Sequence, residues 1–309
     1  MPEKPRILVD CDPGHDDAVA LVVAARFADL VGVTTVAGNA PLTHTTRNAR
    51  IVLDLIGSDV PLHSGAQRPL VAPARHAQNV HGESGLDGAD LPEPSRPADS
   101  ADAVGFIIDT CRATEGLWLV PVGPLTNIAL ALRSAPDIAG RIAGISLMGG
   151  GTFGNRTSAA EFNIWADPDA AAIVYGYGGP LVMSGLDVCH QLQATRERTE
   201  AMRGIPGTLG PLFADLFAYF LPTIEKFAPA LRGAPMFDVC AVLSVTHPEL
   251  FTGDDKHVVV ETRGEHTVGM THIDMRQRLG LPDPNCRVQW TIDDDAAFAL
   301  IMDALTFFS

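Results

Sequence analysis

The stretch Ile7-Leu8-Val9-Asp10-Cys11-Asp12-Pro13-Gly14-His15-Asp16-Asp17-Ala18-Val19-Ala20-Leu21-Val22 holds the fold in miniature. Ile7, Leu8 and Val9 read as a short buried strand that ends among acids. Gly14 supplies a permissive turn, and Ala18, Val19, Leu21 and Val22 begin a helix. The same alternation recurs along the chain. Further strands are expected at 31–37, 117–122, 145–148, 181–184, 258–261 and 288–292. Between them, Val104, Ile107, Ile108 and Cys111 follow helical spacing, and Ile128, Ala131 and Leu132 begin it again. Asp167 before Pro168 reads as an N-cap followed by proline in the first helical turn. Strand–helix alternation implies βαβ units. The expected fold is therefore a single α/β domain over residues 1–309, an open and mainly parallel sheet with helices on both faces. A stretch rich in Pro, Asp and Ser, from Leu91 to Ser100, offers a boundary and reads equally well as a surface loop.

Composition narrows the function. Hydrophobic residues make up 46% of the 309 and charged ones 19%, which describes a large core and excludes disorder. With 22 basic against 37 acidic residues the net charge is −15, and no basic run breaks it, so nucleic acid and anionic membrane are poor partners. The apolar run after Val19 meets Arg26 and Asp29 too soon for a transmembrane span. The strand Ile7-Leu8-Val9 runs straight into Asp10, which does not read as a signal peptide. Five scattered cysteines form no CxxC and read as reduced thiols, so a cytoplasmic setting is expected.

In open α/β sheets, ligands bind beyond the carboxyl ends of strands. Asp10, Asp12, Asp16 and Asp17 lie at such an end. Packed together they repel one another and need a counter-charge, most simply an oxygen-preferring divalent cation such as Ca²⁺ or Mg²⁺. Helix capping would explain one or two of the acids but not all four. The run Asp293-Asp294-Asp295 also precedes an apolar helix; it lacks the glycine turn, and capping suffices for it.

These residues resemble the inosine–uridine-preferring nucleoside hydrolases. The likeness begins at Asp10-x-Asp12-Pro13-Gly14-x-Asp16-Asp17-Ala18 and continues in order. It runs through Thr34-Thr35-Val36-Ala37-Gly38-Asn39, His81-Gly82-Glu83-Ser84-Gly85 and Gly123-Pro124-Leu125-Thr126-Asn127-Ile128-Ala129. It then takes in Met148-Gly149-Gly150-Gly151, Ala160-Glu161-Phe162-Asn163 with Asp167-Pro168, and Asp238-x-Cys240-Ala241. The resemblance implies a Rossmann-like sheet, a homodimer or homotetramer, and a role in purine or pyrimidine salvage. It implies Ca²⁺-dependent hydrolysis of the N-glycosidic bond of a ribonucleoside to ribose and free base. The metal ligands it implies are Asp12, Asp17, the backbone carbonyl of Thr126, and Asp238. Asp12 would also deprotonate the attacking water, with Asn39 orienting the water side. Asp16, Asn163 and Asp238 would hold the 2′/3′ diol, Asn155 and Glu161 would reach the 5′-hydroxyl, and Met148 would line the substrate site.

On the leaving-group side the chain departs from the pattern. Many members carry His before the last metal Asp, and here Phe237 stands there. Either His81 supplies the proton, its ordinary pKa suiting acid chemistry near neutrality, or Phe237 stacks on the base and favours purines. His15 reads as a neighbour of the ligands. Phe213, Phe217, Tyr219, Phe220 and Phe227 read more readily as core than as a flap, and Trp165 either lines the pocket or packs beneath it. His190, His247, His257, His266 and His272 show no metal spacing and read as surface or structural residues. Two other functions compete with this one. A metal-dependent phosphatase would need a phosphate-cradling loop or a downstream Lys, and neither is found. A silent nucleoside or ribose binder would not need a water-activating carboxylate.

Overall fold

Strand β1 (Arg6–Cys11) and helix α1 (His15–Phe27) form where the opening motif implies, and the rest of the chain is laid around them. The computed structural model describes residues 4–277 and 280–309. After them come β2 (Asp29–Thr35), α2 (Leu42–Leu55), β3 (Leu62–Ser64), α3 (Gln78–His81), α4 (Ala103–Ala113) and β4 (Trp118–Pro121). The middle of the chain holds α5 (Thr126–Ser134), β5 (Gly144–Met148), α6 (Phe162–Ala166), α7 (Pro168–Tyr175), β6 (Leu181–Ser184) and α8 (Leu186–Cys189). Then follow β7 (Gln193–Thr195), α9 (Arg196–Arg203), α10 (Leu209–Phe227), β8 (Gly233–Pro235) and α11 (Phe237–Thr246). The last elements are β9 (Phe251–Lys256), β10 (Val258–Val260), β11 (Thr271–Ile273), β12 (Cys286–Ile292) and α12 (Asp294–Phe307).

Eight strands make one sheet in the order β3-β2-β1-β4-β5-β6-β12-β9, parallel except for β9, which runs antiparallel to β12 at the edge. From β1 the chain builds outward through β2 to β3, then returns to β1's other side at β4 and builds the opposite way. The order therefore reverses between β1 and β4, the place where α/β sheets open a crevice.

Alternation along β1 divides the interior. Ile7, Val9 and Cys11 enter the core on one face of the sheet, with α1, α10, α11 and α12; Leu8 enters the core on the other, with α4, α5 and α7. Helices thus cover both faces, as the sequence implies. Helix α1 is apolar nearly all round because it lies buried between the sheet, α11 and α12.

The expected strands lie within or across β1, β2, β4, β5, β6 and β12. The run 258–261 does form a strand, β10, but it pairs with β11 in a separate two-stranded ribbon. Strand β9, Phe-Thr-Gly-Asp-Asp-Lys, has no counterpart among the expected strands, because an exposed edge strand carries no apolar signal. The stretch Leu91–Ser100 is a loop whose end is sewn to the sheet: Asp99 accepts from the Leu62 N–H at 2.8 Å, and Ser64 N–H donates to the Ser100 carbonyl at 3.0 Å. All five cysteines are free and buried. Among the described residues no helix is long and apolar enough to cross a membrane.

Candidate active site

Beyond the ends of β1 and β4 lies a cavity of about 330 Å³, near the lower end of the range for small-molecule sites. Its polar wall is made by Asp16, Asn39, Glu161, Asn163 and Asp238, with Val122 and Met148 among them. The remaining wall is largely apolar, with Val80, Phe220, Ile224, Phe227, Leu231 and Phe237.

The acids of the opening motif do not all go to one place. Asp10 shares the face of Leu8, and its Oδ1 accepts from Thr34 Oγ1 at 2.6 Å and from Asn127 Nδ2 at 2.8 Å. Burial pushes its pKa up to about 7. This acid ties the sheet to α5, so the acidic cluster is Asp12, Asp16 and Asp17, completed by Asp238 from the start of α11, and of these Asp16 and Asp238 line the cavity.

Asp17 does two jobs. Its carboxylate accepts from the N–H of Gly14 at 3.0 Å and of Asp12 at 3.1 Å, closing the first turn of α1, and Asn39 Nδ2 reaches it at 3.2 Å. One oxygen of Asp17 also lies within 4.8 Å of oxygens of Asp16 and Asp238, a set able to hold a metal ion. Asp12 is fixed differently. Its Oδ2 accepts from the Asn39 N–H at 2.6 Å, and its Oδ1 is buried with no partner. Gly38 and Gly123 close in on either oxygen; a Cβ there would come within 2.1 Å of Oδ2 and 2.4 Å of Oδ1 respectively.

The electrostatics follow from burial and crowding. Desolvation first and Asp17 second hold Asp12 well above the carboxylate range, and the same causes take Asp16 to about 8. Asp238 is raised by burial, then by Asp16 and Asp17. Among the described residues no Lys or Arg forms an ion pair with any of them. The donor set is all oxygen, negatively charged and short of cations, and one buried oxygen has no partner. These residues fit a hard divalent cation.

Around this cluster the fold presents neutral polar groups. Asn163 Nδ2 donates to the carbonyls of Val122 at 2.8 Å and Met148 at 3.3 Å, which commits its nitrogen and leaves its oxygen available. Glu161 caps α6. Its carboxylate accepts from the N–H of Asn163 at 3.0 Å, Gly150 at 3.1 Å and Ile164 at 3.2 Å, and burial raises its pKa to about 7. Gly150 takes φ +76°, a left-handed turn that suits glycine and aims its N–H at Glu161. Asn155 lines the outer part of the cavity, its Oδ1 accepting from the Phe162 N–H at 3.0 Å.

Thr126 opens α5, its hydroxyl donating to Asp167 at 2.7 Å, and like Asp12 and Asp17 it lies off the cavity wall, which Val122, just past β4, reaches. Two sequence expectations are corrected here. His81 lies on the wall but lacks its ordinary pKa; burial first and His15 second push it well below the usual imidazole value. Its Nδ1 faces His15 Nδ1 at 3.1 Å, and His15 Nε2 donates to the Asp87 carbonyl at 2.8 Å. His190, read as surface or structural, lines the cavity beside Phe237, with ring centres 5.8 Å apart. Nothing in its spacing marks it; the turn that ends α8 brings it there.

The aromatic run of α10 is divided. Phe213 and Phe217 are core, whereas Phe220 and Phe227 face the cavity, and Tyr219 is 45% exposed. Phe237 opens α11 with its ring on the cavity, where its neighbour Asp238 also points. Trp165 is off the cavity, packed against Arg75 and Arg156.

Comparison with known proteins agrees with this geometry. A family model described as inosine-uridine preferring nucleoside hydrolase matches residues 7–299. The chain is 42% identical over 308 residues to the pyrimidine-specific ribonucleoside hydrolase RihA of Escherichia coli, covering 98% of this chain and 99% of that one. The purine-preferring ribonucleoside hydrolase from Gardnerella vaginalis superposes with a TM-score of 0.91 at 32% identity, over 98% of both chains. An inosine-guanosine nucleoside hydrolase follows at a TM-score of 0.87 and 27% identity, over 97% of this chain and 98% of that one.

Proposed function

The chain belongs to the inosine-uridine preferring nucleoside hydrolase family and is a ribonucleoside hydrolase, and on that footing we propose that it is a calcium-dependent enzyme that prefers purine ribonucleosides. The observation that carries this reading is a cluster of buried carboxylates, one oxygen of Asp12 among them unpartnered, at one wall of a cavity whose other wall is apolar and aromatic. The family is metal-dependent, and an all-oxygen, anionic donor set suits calcium.

Asp12, Asp17 and Asp238 would hold the ion, with the Val122 carbonyl in place of the Thr126 one. When bound, the cation supplies counter-charge and Lewis acidity. The remaining chemistry belongs to the chain. Asp12, its Oδ2 pinned by the Asn39 N–H, keeps Oδ1 free to take a proton from water. Asp16, Asn163 and Asp238 hold the 2′/3′ diol, and Glu161 with Asn155 takes the 5′-hydroxyl. Breaking the bond at C1′ develops oxocarbenium character on the ring, which the surrounding carboxylates stabilise. A site built to bond these hydroxyls rejects the 2′-deoxy analogue, because its own polar groups would be left unpaired.

The names of the relatives point both ways on the base, and the chemistry of the cavity supports the purine reading. Burial leaves His81 without its extra proton near neutral pH, and Phe237 cannot donate. What the site offers the base is stacking, by Phe237 and Phe220, which suits the larger purine ring. Free buried cysteines fit a reducing, cytoplasmic setting for salvage. Assembly as a homodimer or homotetramer, which family membership suggests, is read by sedimentation.

The test is ribose release from inosine, adenosine, guanosine, cytidine and uridine, before and after EDTA treatment and after adding calcium back. Loss with EDTA, return with calcium and faster purine turnover are expected. Equal turnover of uridine and inosine would overturn the stacking account, and full activity after EDTA would overturn the metal.

A further inference from the structure

In the apolar wall of the cavity His81 stands beside Val80 and against Phe220, a polar ring among apolar ones. It ends α3, and Gly14 leaves room for it: a Cβ on Gly14 would lie 2.8 Å from His81 Nδ1. That nitrogen faces His15 Nδ1 at 3.1 Å. Ring centres 5.4 Å apart and planes 24° apart set the two imidazoles nearly edge to edge, as a bond between ring nitrogens requires. His15 Nε2 in turn lies 2.8 Å from the Asp87 carbonyl. Asp87 is itself fixed, since its carboxylate accepts from the N–H of Glu83 at 2.9 Å and of Ser84 at 3.2 Å. Phe220 lies across both rings, 4.7 Å from the centre of His15 and 5.0 Å from that of His81.

A carbonyl only accepts, so His15 Nε2 carries a hydrogen. Both rings are buried, which disfavours a charge on either, and a neutral imidazole has one N–H and one bare nitrogen. His15 Nδ1 is therefore bare, and the single hydrogen between the rings belongs to His81 Nδ1. That leaves His81 Nε2 bare as well. Among the described residues this nitrogen has no hydrogen-bond partner, and the ring that carries it lines the cavity. The role of one histidine nitrogen is set by the bond its other nitrogen makes, and here that rule runs from the Asp87 carbonyl through His15 to His81. The cavity is thus offered an acceptor, which becomes a donor only if the bond to His15 is given up.

We propose that His15 is a positioning residue that locks His81 in the Nδ1–H tautomer, so that the base meets a hydrogen-bond acceptor at His81 Nε2 and bases bringing a ring N–H to it are selected. The inference rests on the orientation given under the proposed function, with the base against Phe220 and Phe237. Inosine and guanosine carry such an N–H at N1. Purine riboside has a bare nitrogen there and no N–H anywhere on its base, and 1-methylinosine has a methyl group in its place. Either analogue leaves Nε2 unpaired, and purine riboside sets two acceptors against each other. The lock therefore favours 6-oxopurines, a distinction that stacking on Phe220 and Phe237 does not make.

Heteronuclear NMR of the protein labelled in its histidine nitrogens reads the tautomers without any turnover, with His81→Gln and His15→Gln assigning the resonances. His81 Nε2 and His15 Nδ1 are expected at the shift of bare nitrogens, and His81 Nδ1 and His15 Nε2 at that of protonated ones. A hydrogen on His81 Nε2 overturns the lock. Inosine, purine riboside and 1-methylinosine are then compared by KM and by thermal shift of the calcium-treated protein. Inosine is expected to bind about three- to tenfold tighter than either analogue, the size of one neutral hydrogen bond. Equal binding of all three overturns the acceptor. His15→Phe keeps a ring against Phe220 but offers His81 no acceptor, so inosine should lose its advantage and His81 its tautomer signature. His15→Gln, whose amide oxygen can accept from His81 Nδ1, should keep part of both. If the two variants lose stability and the preference for inosine is unchanged in each, His15 is only structural and the positioning role is overturned. If no nucleoside is cleaved, yet the nitrogen shifts and the order of thermal shifts hold, the activity assignment fails and the lock stands.

Discussion

Asp12 is held by what its neighbours lack. Gly38 and Gly123 have no side chain, and the room this leaves is the room the carboxylate occupies. A single methyl at Gly123 would arrive 2.4 Å from Asp12 Oδ1 and 2.9 Å from its Cγ. The carboxylate cannot swing clear, because the Asn39 N–H holds its other oxygen at 2.6 Å. Gly123→Ala is therefore expected to displace the Asp12 carboxylate by a fraction of an ångström. Misplacement on that scale can cost about a hundredfold in rate. Steady-state kinetics with inosine should show kcat falling by about that factor while the folded circular-dichroism spectrum persists. Unchanged kcat would mean that Asp12 is not the group that takes the proton. The sequence shows both glycines but not what they face, since each meets Asp12 only through the folding of another strand's loop.

At the scale of elements, two acidic helix starts look alike in the sequence and differ in the fold. Helix α12 begins at Asp293, whose carboxylate accepts from the Ala296 N–H at 3.0 Å, and capping accounts for it. Helix α1 begins at Gly14, and Asp17 both closes its first turn and faces the carboxylates of Asp16 and Asp238. Asp293→Ala should cost about 1 kcal/mol of stability, the usual size of a lost N-cap, and leave turnover untouched. Chemical denaturation and the ribose assay read the two effects separately. A loss of activity there would show that α12 supports the site, against which α1 packs. Helix α10 makes a related point. Its aromatics follow one spacing, yet Phe213 and Phe217 go to the core while Phe220 and Phe227 go to the cavity. Spacing along a helix places residues on faces; which face meets a cavity depends on what the helix packs against.

For the whole molecule, the site is an electrostatic cost that a ligand removes. Buried carboxylates with raised pKa values are unfavourable to the folded state at neutral pH, and a cation that binds only the folded state offsets this. Ligand at about a hundred times its dissociation constant adds about 2.7 kcal/mol. The melting temperature at pH 7.5 should fall after EDTA and recover with calcium, and excess magnesium should restore less if calcium is the resident ion. A melting temperature indifferent to both would leave the cluster without its proposed occupant. Strand–helix alternation and the opening motif fixed the α/β class, the parallel sheet and the acidic turn from local pattern alone. They did so because periodicity, turn chemistry and capping act over a few residues. The cluster's membership needed tertiary structure. Asp10 turned to the opposite face, Asp238 came from far along the chain, and His190 emerged on the wall. Burial then decided protonation, lowering His81 and raising the carboxylates, since desolvation is a property of the surrounding fold and leaves no mark in the sequence.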